Sequence, residues 1–96
     1  LGSSMPDDEL RALAEAGIEK AAVTLRGDAA YSGEAWFKLG KGEVSIDVTA
    51  LVAPDCFKVT STARYSDVDP RPLRIIAELA RVGDAIRVVR WTEAGK

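Results

Sequence analysis

Ninety-six residues, 47% of them hydrophobic and 29% charged, give the balance of one globular domain with one core and leave no room for a second. A net charge of −2 provides no bulk attraction to nucleic acid or anionic lipid. The absence of histidine removes the commonest general base, the Ser-His and Cys-His dyads and nearly every zinc shell, and the single cysteine, Cys56, excludes an internal disulfide.

The chain opens with Leu1-Gly2-Ser3-Ser4 before Met5, which reads as a cloning scar. A helix then starts clearly. Ser4 is a cap, Pro6 suits the first turn, and Asp7, Asp8 and Glu9 sit where the helix dipole favours negative charge. Leu10, Leu13, Ala14 and Gly17 follow helical spacing, and Gly17 with Ile18 predicts the helix end.

From residue 20 the apolar period changes to two, which predicts a first strand with Ala21, Val23 and Leu25 facing inward. Ala35, Phe37 and Leu39 predict a second, and Gly40-Lys41-Gly42 a tight reversal. Val44, Ile46, Val48, Ala50 and Val52 make the third and clearest strand, opposite Ser45, Asp47 and Thr49. After Ala53-Pro54-Asp55, the residues Phe57, Val59, Ser61, Ala63 and Tyr65 predict a fourth. Asp69-Pro70-Arg71-Pro72 then predicts a second helix, with Leu73, Ile75, Ile76, Leu79, Ala80 and Val82 on its apolar side. Gly83-Asp84 ends it, Ala85–Trp91 is a final strand, and Glu93–Lys96 is a loose tail.

The expected fold is therefore α+β: a two-layer, mainly antiparallel five-stranded sheet with two helices on one face, ordered α-β-β-β-β-α-β over residues 5–92. The last strand pairs with the first, or alternatively lies parallel beside the fourth. A helix followed by a meander is an architecture that several unrelated fold groups share, cystatin-like ones among them, and it carries no function. No apolar run approaches the ~18 residues of a membrane span, and no leader peptide is visible, so the expected location is cytoplasmic, away from membrane.

No catalytic motif and no cofactor motif is present, and the reading leans away from an enzyme. Cys56 is read as a small incidental hydrophobe, and Asp67 and Asp69 as turn and cap residues in preference to metal ligands. Arg71 and Arg74, at the start of the second helix, form a weak candidate site for an anion, set against ordinary pairing with nearby acids.

The sheet face turned away from the helices is the main candidate. Alternation places Arg26, Trp36, Lys38, Arg64, Arg87 and Trp91 there, together with Lys58, Thr60, Thr62 and Val89, and with Glu34, Glu43 and Asp47 among them. The expected function is a non-enzymatic protein-interaction module, self-associating through this open face or an edge strand. The alternative is single-stranded nucleic-acid binding on the same basic and aromatic face. A third is a small ligand held between sheet and helices.

Overall fold

Why one helix and five strands arise is visible in which residues find a buried side. The computed structural model describes residues 7–66 and 71–94, with helix α1 at Asp7–Gly27 and strands β1 (Gly33–Leu39), β2 (Gly42–Ala50), β3 (Cys56–Arg64), β4 (Leu73–Val82) and β5 (Ala85–Ala94). The strands form one sheet in the order β1-β2-β3-β4-β5, every neighbour antiparallel. The α+β class and the five-stranded antiparallel sheet are as expected, but the element order is α-β-β-β-β-β.

The first correction concerns residues 18–27, which continue the helix. Leu10, Ala14, Ile18, Ala21 and Leu25 form one buried stripe at steps of three and four, so Ala21 and Leu25 belong to a helical period. Val23, expected inward on a strand, is 66% exposed on the helix's outer side. Gly17 does not end the helix because it has another task. A Cβ there would fall on the Ser61 hydroxyl and lie 2.9 Å from Val44 Cγ1, so glycine lets α1 approach β2 and β3 closely.

The second correction concerns the predicted second helix, whose residues 73–82 form β4. Leu73, Ile75, Ala77 and Leu79 are buried under α1, and Arg74, Ile76, Glu78 and Ala80 face the other way. The segment supports either period, and three physical facts choose the strand. Pro72 biases Arg71 towards extended backbone, Ile75 and Ile76 favour β structure, and β3 and β5 satisfy the backbone groups on both sides. Asp67, Asp69 and Pro70 lie outside the described residues. The last strand consequently pairs antiparallel with β4, and among the described residues a single helix covers the sheet. Glu93 and Ala94, expected in a loose tail, belong to β5.

Gly40 (φ +60°) and Gly83 (φ +64°) each take the first corner of a two-residue hairpin loop, the position that needs positive φ in a type II′ turn. Between β2 and β3, Asp55 (φ +61°) makes the corner, and its carbonyl accepts a 2.8 Å hydrogen bond from the Arg81 amide. The C-terminus of α1 is held from the sheet. Arg81 donates through Nη2 to the Leu25 carbonyl and through Nη1, at 3.4 Å, to that of Arg26, bringing a cation to the negative end of the helix dipole. Beneath α1 the layer is filled by fully buried Leu25, Val44, Val59, Leu73, Ile75 and Leu79.

Candidate functional site

Strand register arranges the uncovered face into cross-strand rows. One row reads Lys38-Glu43-Arg64, and another reads Thr49-Lys58-Glu78-Arg90, so acids separate cations in both. Between them run Ser45-Thr62-Arg74 and Asp47-Thr60-Ile76-Thr92. Alternating charge with hydroxyls suits a face that remains in water.

Trp36 reaches this face through a bulge. Glu34 pairs with Ile46 and Phe37 with Val44, leaving Ala35 and Trp36 together against Ser45. Trp36 is 39% exposed, and the Arg64 guanidinium lies 3.5 Å above its ring centroid. Arg64 also donates from Nε to Glu43 Oε1 at 2.8 Å. Ring, guanidinium and carboxylate thus form one stack in which Arg64 occupies a face of the indole. The shift at the bulge also turns Glu34 to the helix side, where its carboxylate lies 3.5 Å from Lys20 Nζ.

Of the expected open-face set, Trp36, Lys38, Arg64 and Arg87 share the uncovered side, with Arg87 at the far end opposite Ala80. Two residues lie elsewhere. Arg26 belongs to the last turn of α1, and its Nε donates to the Asp84 carbonyl at 3.2 Å. Trp91 pairs with buried Ala77 and stands on the helix side. A bulge explains this inversion: Arg90 pairs with Glu78 and Val88 with Leu79, so Val89 is supernumerary and parity changes across it. Arg71 is exposed before β4 and Arg74 is exposed on the open face. With a strand in place of the expected helix, neither has helical N–H groups to join in holding an anion. Cys56 opens β3 on the open face, half-buried opposite Ala80.

The two flanks of α1 differ. On the β1 side, Leu13, Tyr31, Phe37 and Leu39 pack against the core, with Lys20 Nζ 5.2 Å from the Phe37 ring centroid. The buried Tyr31 hydroxyl ionises above the ordinary tyrosine range, through burial first and the Glu34 charge second. On the β5 side, Val88 is 53% and Trp91 49% exposed. Together with Ile18, Glu15 and Glu19 they line an open groove of about 240 Å³. Glu15 and Glu19, one helical turn apart, set an acidic border along an apolar floor.

Sequence reasoning missed this groove because it divided α1 at Gly17 and carried a simple alternation through Val89. Two adjacent valines in Val88-Val89 were the available sign of a break in period. Comparison with protein-family models, with curated proteins and with solved structures finds no match to this chain.

Proposed function

We propose that this chain is a non-enzymatic protein-interaction module that binds its partner on the β5 side, at the groove between β5 and α1. The observation that carries the reading is the pair of half-exposed residues Val88 and Trp91 on the helix-facing side of the sheet. The other large apolar groups on that side are buried or packed against the core, so a large aromatic and a valine left in water there form a natural anchor. The open face supports the reading less well, since its charges alternate and Trp36 already stacks with Arg64.

The test places a photo-crosslinking amino acid at position 88 and, separately, at position 47 on the open face, in cells that make the protein. Protein adducts at 88 without matching adducts at 47 are expected. Equal adducts at both positions, or none at 88, would overturn the reading.

Self-association is the second form of this proposal, since β1 and β5 both end the sheet as edge strands. A crosslinked product of twice the monomer mass identifies it. Single-stranded nucleic-acid binding by the open face would instead give oligonucleotide retention that weakens steeply with salt and is lost in Arg64→Ala and Arg87→Ala.

A further inference from the structure

We infer that the groove between β5 and α1 receives an amphipathic helix with a basic flank, carried by a different protein; the inference rests on the interaction reading above. Its first support is width. Five strands spaced about 4.8 Å apart place β1 and β5 roughly 19 Å from each other, whereas a helix with its side chains is about 10–12 Å across. α1 lies over β2, β3 and β4, with lesser contact to β5 and least to β1. On the β1 side the remaining width is closed by Leu13, Lys20 and Tyr31, and on the β5 side Val88 and Trp91 are left beside the helix.

A helix fits this strip better than a strand does. A strand added at the β5 edge would pair with backbone and extend the sheet, leaving the helix-facing side of Val88 and Trp91 as bare as before. The supernumerary Val89 also interrupts the regular edge that an added strand needs. A helix lying beside α1 covers both side chains with its apolar stripe.

Charge selects the kind of helix. Glu15 and Glu19 border the groove, and among the described residues no lysine or arginine lines it. Lys20 is turned towards Glu34 on the other flank, and Arg11 is held by Glu93 and Asp8 at the end of the strip. Lysine or arginine along the partner's flank would meet the two glutamates. A second copy cannot supply such a flank from α1, whose Asp7, Asp8, Glu9, Glu15 and Glu19 outnumber Arg11, Lys20 and Arg26.

Trp91 reports the test in a Trp36→Phe background, where it is the only tryptophan. The probes are two synthetic helical peptides of about 18 residues, or five turns, with the same leucine stripe and either lysine or glutamate on the flanks. The lysine peptide should bind saturably and shift Trp91 emission to the blue, and the glutamate peptide should not. Glu15→Lys with Glu19→Lys should reverse that preference, while Glu15→Gln with Glu19→Gln should weaken the lysine peptide roughly tenfold. Asp47→Lys on the opposite face should change nothing. Circular dichroism checks that each variant is folded.

Equal binding of both peptides, no binding of either, or a preference unaffected by the Glu15 and Glu19 changes would overturn the inference. If adducts at position 88 persist in that case, the interaction reading stands and only this choice of partner falls. If those adducts are absent as well, both fall.

Discussion

Gly17 on α1 faces Ser61 on β3 so closely that any side chain at 17 would occupy the position of the Ser61 hydroxyl. Ser61 is fully buried, and among the described residues its Oγ has no hydrogen-bond partner. The contact makes opposite demands on its two residues. Gly17→Ala should destabilise by about 1–3 kcal/mol, because overpacking outweighs the ~1 kcal/mol gained in helix propensity. Ser61→Ala should be neutral or stabilising by about 1 kcal/mol, since it removes an unpaired buried hydroxyl. Gly17→Ala should therefore cost less in the Ser61→Ala background, and urea denaturation of the four proteins measures that coupling. Strict additivity would show that the two residues do not meet.

Arg81 caps the C-terminus of α1 from the sheet. Arg81→Met keeps much of the aliphatic stem but removes the donors to the Leu25 and Arg26 carbonyls, and should cost about 1–2 kcal/mol. Amide exchange should accelerate first in the last turn of α1. Exchange that increases evenly along the helix would contradict a capping role.

Tyr31 gives the stability a dependence on alkaline pH. Its ionisation is raised in the folded state by burial and by Glu34. Above the unfolded tyrosine value of about 10, the native chain holds a proton that the unfolded chain has released. The stabilisation is fully present below that pH and is lost as pH rises through the raised folded value. Stability should fall over this range, and Tyr31→Phe should remove that part of the fall. An unchanged alkaline profile in Tyr31→Phe would reject the assignment.

Ile46 and Thr49 test strand parity directly. Ile46 is buried on β2 beneath α1, while Thr49 is exposed on the other side, so Ile46→Ala should cost about 2–5 kcal/mol and Thr49→Ala within about 0.5. Denaturant midpoints at unchanged slope provide the comparison. Comparable losses at the two positions would contradict the register.

The readable parts of this fold are those in which only one period fits. Val44, Ile46 and Val48 alternate with polar residues, and Phe57, Val59 and Ala63 do the same, so β2 and β3 follow from the sequence nearly to their ends. The stretch from Ala21 to Leu25 satisfies both periods, and the stripe beginning at Leu10 decides between them only when Gly17 is understood as a point of close approach. Leu73–Val82 is also ambiguous, because a strand between two others carries apolar residues on both sides. Alternation puts Trp36 on the correct face and Trp91 on the wrong one, although Trp36 lies within a bulge and Trp91 follows one. A bulge depends on the partner strand, so a single run of residues does not reveal the parity change it introduces.

Because each strand pairs only with its neighbours in the chain, the sheet has a bearing on the order of folding. Its hairpins close short loops, events of about 1–10 μs, so the sheet itself demands little long-range search. α1 is the exception. Its buried stripe meets β4 across the whole length of chain that forms β1, β2 and β3, so the closure entropy of that loop is recovered only when α1 docks. Docking of α1 is therefore the high-contact-order step, and substitutions at Ala14 or Ile18 should slow refolding only to the extent that the helix is already seated in the transition state.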